Sequence, residues 1–267
     1  MSATVVASGR RVRATARVSG NREVADRTWW LELRCPAIAD AAVPGQFVMV
    51  GHGLDVPGSF LLPRPFSVGW RSDDGRIGLL VRVFGSGTQR LAGLREGDEL
   101  LLLGPLGRPF ALDPSRPHVC LAGGVGLAPF IFLCADAHAA GGPIVRLVYG
   151  ERTADSVFEP ALIERLTGVV PEIWTEDGTL GAAGRVTDGL DVAEDPILLA
   201  CGPTPMLNAV AALAADSSAS LQVSVEEYMG CGVGTCVGCV VKSADGRWLK
   251  SCIEGPVFDR ESLAWPL

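Results

Sequence analysis

Residues 230–239 read GCGVGTCVGC, three cysteines in nine positions with glycines set between them, and a fourth cysteine follows in KSCIEGPVF. The spacing is Cys231-x4-Cys236-x2-Cys239-x12-Cys252. Pairing such close neighbours as disulfides would staple almost nothing, and a reducing cytosol disfavours disulfides. The alternative is a metal centre held by several thiolates. Zinc prefers paired C-x2-C knuckles, often completed by histidine, but this chain has a single C-x2-C and no histidine after His138. The order C-x4-C-x2-C…C is that of plant-type [2Fe–2S] centres, which makes Cys231, Cys236, Cys239 and Cys252 the expected ligands. Zinc and a purely structural role stay open as lesser readings.

The interleaved glycines suit an iron–sulfur cluster. A short loop supplying three ligands must wrap an anionic group with its backbone N–H donors turned toward sulfur. Gly230, Gly232, Gly234 and Gly238 keep side chains out of the way, and such N–H groups help set the reduction potential. The last 49 residues, 219–267, hold this cluster of cysteines and little else from which to build a core. They are expected to form a small [2Fe–2S] domain that depends on what the thiols bind.

Upstream, residues 113–218 alternate strand and helix patterns: VCLAGGVGLAPFIFLCADAHAAG, IVRLVYGER, FEPALIERLTG, PEIWTED and DPILLACGPTPMLNAVAALAADS. Alternation of this kind implies a parallel sheet with helical crossovers, a nucleotide-type α/β domain. Gly123, Gly124 and Gly126 fall between a strand and a helix, where they let a dinucleotide phosphate approach the helix start, although the run is not a G-x-G-x-x-G fingerprint. Cys201, Gly202 and Pro203 form a second strand-to-turn corner. The Cys201 thiol is either buried packing or a wall of a nicotinamide pocket.

Residues 8–112 break into short apolar runs punctuated by Gly, Pro and Asp, the pattern of a small antiparallel β-barrel. GTQRLAGLREGD has room for one short helix. Arg64, Pro65, Phe66 and Ser67 lie in RPFSVGW at a strand edge, and Gly85, Gly87 and Thr88 follow in VRVFGSGTQRL. An arginine and a glycine turn ending in a hydroxyl can together hold a pyrophosphate, and a serine hydroxyl can donate to a cofactor ring nitrogen. Taken singly, the two motifs read as a strand end and a turn.

A length of 267 residues, 48% of them hydrophobic, suits two or three small domains. Residues 1–112 carry 14 Arg+Lys against 10 Asp+Glu (+4), and residues 113–267 carry 9 against 20 (−11), together the net −7 of the chain. The basic half suits an anionic ligand, and the acidic half argues against nucleic acid; a solvated surface of mixed charge accounts for most of these residues equally well. Cys35, Cys120, Cys134 and Cys201 sit among apolar neighbours as small buried hydrophobes. MSATVVASGRR lacks the apolar core of a signal peptide. The longest uncharged apolar stretch, residues 119–135, is 17 residues with three glycines and a proline, short and broken for a membrane span. A cytoplasmic protein with no membrane contact is expected.

The order R-P-F-S, G-x-G-T, G-G-V-G-L-A-P, C-G-P-x-P-M resembles the ferredoxin–NADP reductase superfamily. With EEYMGCGVGTCVGCVVK, SCIEGPVFD and TEDGTLGAAGRVTD (175–188), the whole chain is similar to the family of electron-transfer subunits of class 1B dihydroorotate dehydrogenases. The resemblance implies an FAD-binding barrel, an NAD-binding α/β domain and a [2Fe–2S] domain. It implies that Arg64, Pro65, Phe66 and Ser67, then Leu80, Val81 and Arg82, then Gly87 and Thr88 hold FAD. One departure is Tyr228, where the family pattern leads one to expect arginine.

A nicotinamide gives two electrons as hydride, a [2Fe–2S] centre carries one, and a flavin placed between them can do both. The cofactors then carry the chemistry; no catalytic triad is needed, and His52, His118 and His138 show no catalytic context. The three domains use up the chain and leave nothing to bind an organic substrate. The resemblance therefore implies a partner, a flavin-containing catalytic subunit that oxidises dihydroorotate to orotate, in a heterotetramer of two copies each that docks near the cluster and flavin edge. NAD is expected over NADP because Glu151 would repel a 2′-phosphate that Arg152 could accept. Rival readings are a sulfhydrogenase or transhydrogenase-type reductase subunit and, from another class, a zinc-stabilised adaptor without enzymatic activity.

Overall fold

The computed structural model describes residues 11–51, 62–142, 144–190 and 195–267; His52 and the N-terminal stretch read above lie outside them. Seven strands form the first unit: β1 (Val12–Ala25), β2 (Thr28–Arg34), β3 (Phe47–Gly51), β4 (Arg64–Ser67), β5 (Trp70–Arg71), β6 (Arg76–Arg82) and β7 (Glu99–Leu106). They pair antiparallel in the order β4-β3-β7-β1-β2-β6-β5. FSVGW, read as one strand, is divided between β4 and β5 by a corner at Val68 and Gly69. Val68 N–H donates to Gln46 O (3.0 Å) and Gly69 N–H to Gly78 O (2.8 Å). One bent segment thus bonds to strands at both ends of the sheet and curls it round on itself, which covers edges that an open sheet would expose.

Period-two alternation fills the interior. Leu31, Leu33, Val48, Val50, Leu79, Val81, Leu100 and Leu102 are all buried in one cluster. A one-turn helix, α1 (Pro36–Ala39), adds Ile38 and Ala39 to that core. The helix α2 (Ser86–Ala92) overlaps the stretch where the sequence leaves room for one.

The second unit runs β8 (His118–Gly123), α3 (Ala128–Ala139), β9 (Ile144–Glu151), α4 (Pro160–Thr167), β10 (Glu172–Thr175), β11 (Ala182–Ala183), β12 (Ile197–Cys201), α5 (Thr204–Ala215) and β13 (Ser220–Ser224). The chain then forms a hairpin, β14 (Val240–Lys242) and β15 (Trp248–Lys250), a helical turn α6 (Ser251–Glu254) and β16 (Val257–Asp259). The large sheet has the order β11-β10-β9-β8-β12-β13-β16, parallel except for β16. β8 and β12 are buried along their whole length, as expected of parallel strands covered on both faces. Cys120, Ala122 and Leu147 face α3 and α4, while Leu121, Val148 and Leu198 face α5. α4 starts at Pro160 and stops at Gly168, whose φ of 70° is the left-handed cap that ends many helices. α3 is apolar on every side because it is wedged between the units. Phe132 enters the barrel core, and Phe130 and Ile131 enter the core of the sheet.

The expected [2Fe–2S] region, 219–267, carries a strand of the large sheet near each of its ends. β13 continues the parallel sheet beside β12, with Cys201 opposite Ser224, and β16 returns antiparallel on β13. Only the segment between those two strands stands outside the sheet. β16 pairs with residues more than thirty positions back, a contact that local pattern does not show.

Candidate functional site

The cysteine loop rests on the outer face of the barrel. On β3, Val48 and Val50 point inward, so Phe47 and Met49 point outward; with Leu106 they make a small core with Cys239 and Cys252, flanked by Leu103, Met229 and Ile253. Gly232 lies flat on this face: its φ is +69°, and a Cβ there would sit 2.4 Å from Met49 Cγ. Val233 N–H and Cys236 N–H each lie 3.4 Å from Cys231 Sγ and donate to it. Burial works to raise the Cys231 thiol, but the N–H donors of Cys236 and Val233 outweigh it and bring the thiol down to about 6. Burial, and then Cys239 beside it, push Cys252 up to about 12. Ser251 N–H donates to Cys239 O (2.8 Å), tying the two halves of the site together.

Cys236 adjoins Cys231, and Cys252 feels both Cys239 and, more weakly, Cys231. Among the described residues, no group of three or more His, Cys, Asp or Glu side chains converges on a point that would hold a single metal ion. Backbone donors already turned onto Cys231 Sγ, with the C-x4-C-x2-C…C spacing, fit a two-iron cluster.

The FAD-type residues gather on the adjoining strand. β3 pairs with β4 so that Met49 lies opposite Pro65 and Phe47 opposite Ser67. Directly opposed residues share a face, which places Pro65 and Ser67 on the outer face that carries the cysteine loop. Phe66 packs toward the barrel core. Arg64 lies over the glycine turn: a Cβ on Gly87 would be 3.2 Å from Arg64 Nη2. The Thr88 hydroxyl accepts N–H bonds from Phe84 (2.9 Å) and Gly85 (3.3 Å) and donates to Gly85 O (3.1 Å), fixing that turn at the start of α2. Leu80 and Val81 have buried side chains, so only their backbone can meet a ligand. β5 pairs only with Ile77 and Gly78, and the rest of the β6 edge runs on beyond it.

At the carboxyl ends of the parallel strands, Gly126 packs under the second corner, and a Cβ there would be 2.2 Å from Cys201 O. A Cβ on Gly123 would lie 2.9 Å from Pro203 Cδ, and Gly123 also touches Gly202. The structure thus brings Gly123, Gly124, Gly126, Cys201, Gly202 and Pro203 to one place, the crevice where open α/β sheets bind ligands. The Cys201 thiol is buried, and burial, then Glu226, raise it. It offers packing, and the corner offers its backbone.

One expectation changes here. The Arg82 guanidinium pairs with Glu151. Glu151 is correspondingly buried and matched in charge, so it is not a free acid placed to repel a 2′-phosphate. Sequence reasoning also passed over Glu226, two residues beyond β13. The residue is exposed overall, and the protein beside its carboxyl raises it, against the pull of Arg82. A doubled acid, Glu226–Glu227, directly after an apolar strand was the available signal.

Residues 226–264 match the family described as the iron–sulfur cluster binding domain of dihydroorotate dehydrogenase B. The chain is 36% identical over 252 residues to the dihydroorotate dehydrogenase B (NAD(+)) electron transfer subunit of Desulforamulus reducens, covering 91% of this chain and 94% of that one. It is 34% identical over 257 residues to the same subunit of Bacillus velezensis, covering 92% and 97%. The chain belongs to this family of electron-transfer subunits. Membership of the dihydroorotate dehydrogenase B family accords with an iron–sulfur cluster domain at the cysteine segment and with NAD as the dinucleotide. A solved structure of an NADH-dependent reduced ferredoxin–NADP oxidoreductase superposes with a TM-score of 0.81 at 26% identity, covering 94% of this chain and 90% of that one. The departure noted at Tyr228 lies at the surface of the family's cluster region, where the side chain is 95% exposed.

Proposed function

We propose that this chain carries electrons between a dihydroorotate-oxidising partner subunit and NAD⁺, in pyrimidine biosynthesis. The observation that carries this reading is the register of β3 with β4, which sets Pro65 and Ser67 on the same outer face as the core around Cys239 and Cys252. A flavin on the R-P-F-S strand would then adjoin the cluster. When bound, FAD exchanges hydride with the nicotinamide and single electrons with the [2Fe–2S] cluster.

The residues of the chain bind and orient. Cys231, Cys236, Cys239 and Cys252 hold the iron, with the N–H groups of Val233 and Cys236 stabilising charge on sulfur. Arg64 and the Gly87–Thr88 turn hold the FAD pyrophosphate, and the Ser67 hydroxyl donates to a ring nitrogen. Leu80, Val81 and Arg82 contribute backbone. The Gly123–Gly126 turn and the Cys201–Gly202–Pro203 corner receive NAD.

The partner is a flavin-containing catalytic subunit in a heterotetramer of two plus two. Its docking face surrounds the cysteines, where Leu62, Tyr228, Val233 and Val237 are exposed apolar side chains and Leu62 lies beside Gly230. Among the described residues no helix is long and apolar enough to cross a membrane, which supports a cytoplasmic assembly.

The test is co-purification with the partner followed by an assay of dihydroorotate-dependent NAD⁺ reduction, with iron and acid-labile sulfide measured on anaerobic material. NADH formation with two irons per chain is expected from the four-cysteine spacing. Absence of iron and sulfide overturns the reading. The likeness to the NADH-dependent ferredoxin–NADP oxidoreductase favours one second reading, a reductase subunit of a different flavin–iron–sulfur complex. It gains support if the protein oxidises NADH but co-purifies with no dihydroorotate-oxidising subunit.

A further inference from the structure

Arg82 leaves the end of β6 in the barrel and reaches into the α/β unit. Its Nε donates to Thr28 Oγ1 (3.0 Å), its Nη2 to Glu151 Oε1 and to Ser156 O (3.3 Å), and its Nη1 to Glu151 Oε2 (3.4 Å). The Tyr149 hydroxyl donates to Glu151 Oε1 (3.0 Å) and accepts from Phe158 N–H (3.3 Å). The Arg82 and Glu151 side chains are 19% and 5% exposed. These donations engage four of the five N–H groups of a guanidinium, and the fifth is on Nη1. That atom also lies nearest the glycine turn: a Cβ on Gly124 would be 3.3 Å from Arg82 Nη1 and 3.9 Å from Glu151 Oε1.

We propose that Arg82 is a positioning residue for the dinucleotide: paired with Glu151, it braces the Gly124 turn and prevents a buried carboxylate from repelling the pyrophosphate. This deepens the proposed function and rests on its reading of Gly123–Gly126 as the dinucleotide turn. It concerns the Arg82 side chain and adds to the role implied by resemblance, in which the Leu80–Val81–Arg82 strand edge holds FAD. The geometry gives a reason. Glu151 follows Gly150, which pairs with Gly123 across β8 and β9, so a carboxylate stands directly beside the turn. A carboxylate in that position disfavours a phosphate unless a cation neutralises it. Arg82, brought from the other unit, is that cation, and it also fixes the barrel against the sheet that must deliver nicotinamide to the flavin.

The experiment uses the full-length, cofactor-loaded chain, with NADH as donor and ferricyanide as acceptor. Arg82→Met, which orphans the carboxylate, is expected to raise KM for NADH about tenfold with kcat changed little and FAD content retained. Glu151→Gln leaves a cation beside the turn and is expected to hold or lower KM. The double variant Arg82→Met/Glu151→Gln is expected to recover most of the loss, a reversal that damaged packing alone would not produce. If Arg82→Met does not fold, Glu151→Gln alone decides by the sign of its KM shift. Loss of FAD from Arg82→Met at unchanged KM, or a raised KM in Glu151→Gln, overturns the proposal. Wild-type protein that fails to oxidise NADH sinks instead the reading of the glycine turn on which the proposal rests.

Discussion

Among the described residues the barrel core holds seventeen buried side chains of its own and Phe132 from α3, and the barrel bonds its strands almost continuously round the sheet. The segment between β13 and β16 has one hairpin of three residue pairs; its cysteines pack on the outer face of that barrel, at Phe47, Met49 and Leu106, and Val225 and Val241 pack into the core beside α5. An isolated two-stranded hairpin is marginal in water. The difference separates two sources of order. The barrel is held by burial, whereas the cysteine segment is held by its metal centre and by a surface lent from elsewhere. This also explains why electron transfer can be built on a loop: the loop need not fold alone, only settle where sulfur, flavin and barrel meet.

The hardest test of that contrast is removal of the centre. Cys239→Ser, or chelation of iron under reducing conditions, is expected to abolish visible absorption beyond that of flavin. Amide-exchange protection should fall toward that of an unfolded loop between residues 225 and 256, while the barrel keeps FAD and its protection. Loss of barrel protection in the same experiment would break the comparison, because the two regions would then form one cooperative unit.

The borrowed surface comes next. Met49→Ala removes a buried side chain from the contact, and losses of about 2–4 kcal/mol are usual for such a change. The loss should fall mainly on the cysteine segment, seen as earlier cluster bleaching in denaturant than loss of barrel fluorescence. Gly232→Ala is expected to act on the same contact, since its Cβ would meet Met49 Cγ at 2.4 Å and its φ is +69°. Met49→Ala combined with Gly232→Ala should recover part of the loss by making room, and not all of it, because the left-handed backbone strain remains.

What the sequence disclosed follows from the range of the contacts involved. The ligand loop was legible because its three thiols and their glycines lie within nine residues. The barrel strands were legible from local alternation, and the sheet from strand, glycine turn and helix in succession. The placement of β16 on β13 was not, because that pairing bridges the whole cysteine segment. Arg82 and Glu151 lie 69 positions apart in different units; each alone reads as a charged residue at a strand end, and only the fold makes them a pair. Leu80 and Val81 show the limit of residue-by-residue transfer: a matching motif located the strand edge, but their side chains turned into two different cores.

A smaller effect is expected at the exposed rim. Tyr228→Ala should leave stability within about 0.5 kcal/mol, as for most surface substitutions. It should weaken binding of the catalytic partner about tenfold if the ring is an interface anchor. Titration of the partner by calorimetry separates the two readouts. Unchanged affinity would move the docking surface away from the cysteine loop and leave the contrast in stability untouched.

The smallest effect concerns acid. Asp245 stands in the β14–β15 turn, where it accepts from Ser243 Oγ (2.5 Å) and Arg247 Nε (2.8 Å). The Ser243 bond first, then the Arg247 bond, hold its carboxyl at about 2. Because that value lies below the ordinary carboxylate range, the turn is stabilised most fully above an unfolded pKa of about 4 and loses the contribution as pH falls toward 2. The side chain is largely exposed, so solvent keeps the contribution small. In Asp245→Asn the bleaching of the cluster should begin at slightly higher pH than in the wild type, while release of FAD from the barrel stays where it was. Identical acid profiles would mean that the hairpin adds nothing to the grip on the metal centre. The cysteine segment would then owe its order to the thiolates and to the surfaces it packs on, the barrel face and the core beside α5, a sharper form of the contrast between the two regions.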